Sequence, residues 1–152
     1  CSANYAGASF FNTQESLQIS NLMSSAKYAG RISSYISLQA FGEQVLMPFS
    51  SSSIAGGNTI ALTNVANRIA NAIRGRNPQR NYQVGVGGAL RSPQSGTSTD
   101  YALGFVGIPY VFTLMLPSGG ASGFDPPTTV ISSIGSETFY GLLEVPLHLI
   151  GP

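Results

Sequence analysis

Few side chains in this sequence are equipped for chemistry. There is one histidine, His148, and one cysteine, Cys1. The six acids are Glu15, Glu43, Asp100, Asp125, Glu137 and Glu144, and no two of them are close in sequence. No His/Cys/Asp/Glu cluster has the spacing of a metal site. A Ser/His/Asp triad would have to join His148 to Asp100 or Asp125 and to one of 21 serines, and no strand–turn–helix elbow marks a nucleophile. His148, on a helix next to the C-terminal end, reads as a surface or packing residue. Five of the seven basic residues fall between Arg68 and Arg91: Arg68, Arg74, Arg76, Arg80 and Arg91. Such a cluster can contact phosphates. Aromatic residues are sparse among them, so a solvated helix end, with arginines complementing the helix dipole, is the better reading. The run Gly85-Val-Gly-Gly88 is glycine-rich, but no helix is expected to open after it, so it does not read as a phosphate loop.

These residues need elements to position them. A helix is expected from Thr13 to Tyr28, capped by Asn12 or Thr13 and stopped at Gly30, with Ile19, Leu22, Met23 and Ala26 as a buried stripe. Ser34 to Gln39 reads as a strand and residues 40–57 as a long serine- and glycine-rich loop. Leu62, Val65, Ala66, Ile69, Ala70 and Ile73 recur on one face of a helix from Asn58 to Arg74, ended by Gly75 with Pro78 beyond. Tyr82 to Val86 is a short strand, residues 87–97 a loop, and Ser98 to Leu103 one helical turn. The apolar run Pro109 to Leu116 has the mark of a central strand buried on both faces. Residues 117–128 form another loop. A final helix starts near Ser136, its stripe being Phe139, Leu142, Leu143, Leu147 and Ile150, and Pro146 should kink or end it. The alternation of helices and strands predicts an α/β sheet with helices packed on it.

Composition narrows the classes further. The 152 residues fit one domain or part of a larger one. Hydrophobic residues reach 43% but charged residues only 9%, with 18 Gly and 9 Pro. The net charge of +1 gives no global pull toward nucleic acid or an anionic membrane and little self-repulsion, so packing against copies of itself is cheap. No apolar run approaches the ~18 residues of a membrane span. No signal-peptide pattern is present, which suits a mature fragment or a cytoplasmic chain. A start at Cys1 points to proteolytic processing or to a boundary imposed on a longer chain. A leftover cysteine in a secreted protein points to a bond with another chain or a free thiol.

Several segments, taken in order, carry a resemblance. They are Cys1-Ser-Ala-Asn-Tyr5-Ala-Gly7-Ala-Ser-Phe10, Tyr35-Ile-Ser-Leu-Gln39-Ala-Phe-Gly-Glu-Gln-Val-Leu-Met-Pro48-Phe49, Ser95-Gly-Thr-Ser-Thr-Asp100-Tyr101, Gly107-Ile-Pro-Tyr-Val-Phe-Thr-Leu-Met115-Leu116 and Glu137-Thr-Phe-Tyr-Gly141. Their order and spacing are similar to the C-terminal half of secreted zinc carboxypeptidases of the pancreatic A/B type, including insect digestive ones. The resemblance implies an α/β fold: the second half of a mixed eight-stranded sheet with helices on both faces. It places the His-x-x-Glu zinc motif and the carboxylate-binding arginines in a first half outside these residues. The partner it implies is therefore an N-terminal fragment of the same precursor, disulfide-linked through Cys1.

At the functional positions the sequence departs from that pattern. Gln39 stands where the family has its third zinc ligand, a histidine, and an amide oxygen is a poor substitute for imidazole. Met115 stands where the family has its general-base glutamate, and a thioether cannot take a proton. Ser92 falls at the substrate-capping tyrosine, and Pro117-Ser-Gly-Gly120 replaces the family's Arg-Asp-Thr-Gly. Thr99 and Asp100 remain as candidates for a residual cleft. Loss of a general base alone costs about 10²–10⁴-fold in rate. Core positions Ile36, Leu38, Val111, Phe112 and Leu114 stay apolar. The expectation is a protein without zinc and without peptidase activity, extracellular, and structural, storage or assembly-related, with self-assembly among its options. The alternatives are a pseudoenzyme that still binds peptide C-termini and a divergent active zinc carboxypeptidase.

Overall fold

The structure, a computed structural model, describes residues 8–151. Its order is α1 (Gln14–Ser24), β1 (Ser34–Ala40), β2 (Gln44–Met47), α2 (Thr59–Arg76), β3 (Gln83–Val86), α3 (Gly87–Leu90), α4 (Ser98–Tyr101), β4 (Tyr110–Leu116) and α5 (Ile131–Ile150). A π-helical turn, Ala102–Val106, continues α4. The four strands form one mixed sheet in the order β1-β4-β2-β3, with helices against it. β1 and β4 run parallel, β4 and β2 antiparallel, and β2 and β3 parallel.

The α/β class and most elements are those expected from the sequence. β4 is the central strand, and Val111 through Met115 are all buried. On one sheet face Val45, Met47, Phe112 and Leu114 meet Leu62, Val65, Ile69 and Ile73 of α2 and Val145 of α5. Burying each such aliphatic or aromatic side chain contributes roughly 1.5–3 kcal/mol. The other face is smaller: Val111 and Ile108 pack with Ala102 and with Met23 of α1. Asn58 caps α2, accepting from the Ala61 N–H at 3.2 Å, and Thr13 caps α1 in the same way.

Five expectations need correction. Residues 40–57 are not all loop, because they contain β2. It was hidden because Val45-Leu46-Met47 is too short to show a period; its partners β4 and β3 lie far along the chain. α1 ends at Ser24, well before Gly30, and Ile19 and Leu22 are about half exposed. Only Met23 of its expected stripe is buried, where it packs with Ala102, Ile108 and Val111. α2 runs through Gly75 to Arg76, with Asn77 as its cap. A four-residue helix, α3, does open at Gly87, within the run Gly85-Val-Gly-Gly88. α5 begins at Ile131 and continues past Pro146, with its packing centred on Gly141 and Val145 rather than on Phe139, Leu147 and Ile150, which are exposed. The eight-strand count concerns a whole domain; the described residues contribute four strands.

Candidate functional site

The ends of the strands bring two of the sequence-predicted positions, Gln39 and Met115, into one row with Gln44. Gln39, near the end of β1, is the register partner of Met115 on β4. Met115 is in turn the partner of Gln44, the first residue of β2. Partners in register share a face of the sheet, so the three side chains stand side by side. The row lies at the carboxyl ends of the parallel pair β1–β4, where open α/β sheets bind their ligands. Residues 41–43 carry the chain across the end of β4, and the Gly42 N–H donates to the Leu116 carbonyl at 2.9 Å.

Chemically the row is neutral. Gln39 is exposed, and its Nε2 donates to Ser37 Oγ at 3.2 Å. Met115 is buried at 3% exposure. Gln44 Oε1 accepts from Arg91 Nη1 at 3.1 Å. Ser92 is exposed beside Arg91 and lines a hollow of about 360 Å³ with Gln44, Leu90, Arg91 and Gln94.

Thr99 and Asp100 sit one layer back. Thr99 is buried, and its hydroxyl reaches Thr97 Oγ1 at 3.4 Å. The Asp100 carboxylate accepts from the Ser50 N–H at 2.8 and 3.0 Å, from the Ser51 N–H at 3.2 Å and from Ser51 Oγ at 3.1 Å. Asp100 thus clamps the serine loop; charge-assisted bonds of this kind are the stronger class. His148 Nε2 meets the Tyr110 hydroxyl at 3.0 Å. The structure pairs His148 with Tyr110 and Asp100 with the serine loop, so no triad assembles from them. Cys1 lies outside the described residues.

A second polar cluster was not legible in the sequence. Glu137, 3% exposed, pairs with Arg80 and accepts from Asn77 Nδ2 at 2.9 Å. Arg80 Nη1 also donates to Glu43 at 3.1 Å, and Glu43 accepts from the Asn81 N–H at 3.0 Å. Burial disfavours the Arg80 charge, but the hydrogen bond and charge of Glu137, with those of Glu43, outweigh it and raise its pKa. Tyr82, against the same cluster, has its pKa pushed up by burial and by the two carboxylates. The arginine group read as a helix end divides: Arg68 pairs with Glu144 at 2.8 Å, Arg80 joins this cluster, and Arg74 and Arg76 close α2. The sequence displays Glu43, Arg80 and Glu137 separately, but nothing in their spacing says that they meet.

Set beside known proteins, residues 1–141 match the zinc carboxypeptidase family model, Peptidase_M14. The chain belongs to the zinc carboxypeptidase family. It is 28% identical over 144 residues to carboxypeptidase O of Bos taurus, covering 95% of this chain and 37% of that protein. It is 29% identical over 149 residues to carboxypeptidase B of Helicoverpa zea, covering 94% of this chain and 34% of the relative. Its fold superimposes on bovine thrombin-activatable fibrinolysis inhibitor, solved in complex with tick carboxypeptidase inhibitor, with a TM-score of 0.88 at 23% identity, over 96% of this chain and 48% of the other. Carboxypeptidase A from Helicoverpa armigera gives a TM-score of 0.80 at 24% identity, over 92% and 35%. The chain spans about a third of the length of these two curated relatives.

Membership in a zinc carboxypeptidase family raises the question of fit to zinc. Among the described residues no three His, Cys, Asp or Glu side chains come together in a group able to hold a metal. The row offers an amide, a thioether and a second amide. Zinc favours imidazole, thiolate and carboxylate. The residues present here do not fit the metal.

Proposed function

We propose that this protein is a non-enzymatic, extracellular member of the zinc carboxypeptidase family with a structural, storage or assembly role. The observation that carries the reading is the Gln39–Met115 pair. The two positions that the resemblance assigns to zinc ligation and proton transfer face each other as an amide and a thioether. Neither side chain can perform its expected task, while the strands that hold them keep the family's architecture.

The partner in this reading is an N-terminal half of the same precursor, completing the eight-stranded sheet and joined through Cys1. Among the described residues β1 pairs on one edge only, with β4. It has neither proline nor charge to guard the other edge, and Leu38, expected in the core, is 50% exposed there. Ile19 and Leu22 on α1 and Leu147 and Ile150 on α5 add exposed apolar surface. A second chain or segment that paired with β1 and covered these side chains would complete the core.

The test is elemental analysis for zinc in the native, undialysed protein, together with a carboxypeptidase assay. Near-zero zinc and no hydrolysis are expected. Close to one zinc per molecule with measurable hydrolysis would overturn the reading in favour of a divergent peptidase. A gel with and without reductant checks the Cys1 link: the chain should shift to its own mass only when reduced. A second reading, a pseudoenzyme that binds peptide C-termini, is favoured by the clamp of Asp100 on Ser50 and Ser51, which preserves the loop framework beside the row.

A further inference from the structure

We propose that Arg80 is a clasp through which helix α5 sets the conformation of the 41–43 turn at the end of β4. A change at Glu137 is then felt at Gly42 and Gln44, beside the row.

The turn needs holding. Glu43 has a φ of 49°, in the left-handed region. A side chain with a Cβ is disfavoured there, and glycine adopts it most readily. Such a backbone persists only where its surroundings over-determine it. Glu43 Oε1 accepts from Arg80 Nη1 at 3.1 Å, and Oε2 accepts from the Asn81 N–H at 3.0 Å. The Glu43 carbonyl accepts from the Gln83 N–H at 2.9 Å. Glycine at position 43 would suit the backbone better but would bring no carboxylate. The side chain is therefore what the turn uses.

Arg80 is shared between two acids on different elements. Its Nη1 engages Glu43 and its Nε engages Glu137 of α5. Both nitrogens belong to one rigid planar group, so displacing one end misaligns the other. The Glu137 end is the fixed one. Glu137 is 3% exposed and also accepts from Asn77 Nδ2 at 2.9 Å. Asn77 is itself tied in, its N–H donating to Ile73 O at 2.9 Å and its carbonyl accepting from the Arg80 N–H at 3.0 Å. The Glu43 end is more open, with its side chain 28% exposed.

On its other side the turn meets the row. The Gly42 N–H donates to Leu116 O at 2.9 Å, and a Cβ at Gly42 would stand 3.3 Å from Gln44 Oε1. Gln44 is the register partner of Met115. A continuous set of contacts thus runs from Glu137 through Arg80 and Glu43 to Gly42 and Gln44, the kind of physical path that coupling needs. The Arg68–Glu144 pair also joins α2 to α5 but has no part in this path, so it supplies a control. The clasp needs neither zinc nor hydrolysis, so it stands or falls apart from the reading above.

Hydrogen exchange of the intact protein, resolved by NMR, tests the clasp. Glu137→Gln should speed exchange of the Gly42 and Gln83 N–H groups about tenfold, the scale of one charge-assisted contact. The Ile69 N–H inside α2 should keep its rate. Arg80→Lys should act like Glu137→Gln, because an ammonium cannot reproduce the fork. Glu144→Gln should leave Gly42 unchanged. In a Glu43→Gly background the turn is no longer clasped, and Glu137→Gln should no longer alter the Gly42 rate. Coupling is reciprocal, so Glu43→Gln, which spares the buried pair, should shift the NMR signal of the Arg80 Nε–H. An unchanged Gly42 rate in Glu137→Gln, equal acceleration of Gly42, Gln83 and Ile69, persistence of the effect in the Glu43→Gly background, or an Arg80 signal unmoved by Glu43→Gln would each overturn the proposal.

Discussion

Gln39 and Met115 are direct partners across the β1–β4 ladder, one exposed and one 3% exposed. A carboxylate at position 115 would be placed in a site lined for a thioether. Met115→Glu should therefore cost about 1–3 kcal/mol at neutral pH, as for a buried polar group without partners. Burial raises the carboxyl pKa, so that cost should shrink as the medium is acidified and the group protonates. Met115→Leu, which conserves volume, should cost less than about 1.5 kcal/mol. Urea unfolding at pH 7 and at pH 4 separates the two variants, and equal stability of both at pH 7 would show the row to be wet.

Glu137 and Arg80 lock α5 to the segment between α2 and β3. Glu137→Ala should destabilise by about 3–5 kcal/mol, because it leaves a partly buried guanidinium with only Glu43. Glu137→Gln, which can keep the Asn77 contact, should cost less. Chemical denaturation of both variants checks the order. A loss below about 1 kcal/mol for the alanine variant would contradict a buried pair.

Tyr82 is 6% exposed and its hydroxyl has no hydrogen-bond partner among the described residues. Its folded pKa lies above the ordinary value, because burial and then the charges of Glu43 and Glu137 oppose the phenolate. The unfolded chain therefore releases this proton first as pH rises. Its stabilising contribution is complete below about pH 10, the unfolded tyrosine value, and is lost as pH climbs toward the folded pKa. Tyr82→Phe should be neutral or stabilising by up to about 1 kcal/mol at pH 7, since it removes an unpaired polar atom. It should also flatten the decline in melting temperature above pH 10. A steeper alkaline decline in the variant would reverse the assignment.

Two glycines of α5 should respond in opposite directions. A Cβ at Gly141 would lie 2.7 Å from Ile73 Cγ1, at the contact between α5 and α2. Gly141→Ala should cost about 1–3 kcal/mol through overpacking, despite its better helix propensity. Gly135 has nothing within 4 Å of the same atom. Gly135→Ala should stabilise by roughly 0.5–1 kcal/mol from propensity alone. Thermal melts of the pair test whether α5 sits as close to α2 as described.

Legibility in the sequence followed the range of the interactions involved. α2 and β4 were readable because a stripe of Leu62, Val65, Ile69 and Ile73, or a run such as Val111 to Met115, reports its own burial locally. α1 misled for the same reason. Ile19 and Leu22 have helical spacing, yet no described element covers them, and spacing says nothing of what lies opposite. Pro146 was expected to interrupt α5, but it is exposed near the helix end, where the packing is already carried by Gly141 and Val145. Gln39, Ser92 and Met115 were found by resemblance, and the structure sets Gln39 against Met115 while leaving Ser92 in the hollow beyond Gln44.

By itself the sequence determined the α/β class, the central strand and the side-chain types that occupy positions 39 and 115. Those are properties of composition, period and residue identity. Tertiary structure alone decided that the four residues of β2 would lie between β4 and β3, that Glu137 would find Arg80 57 positions away, and that Asp100 would hold Ser50 and Ser51. Each depends on pairing between segments distant in sequence. A carboxylate or a three-residue apolar run looks the same along the chain whether or not a partner awaits it across the fold.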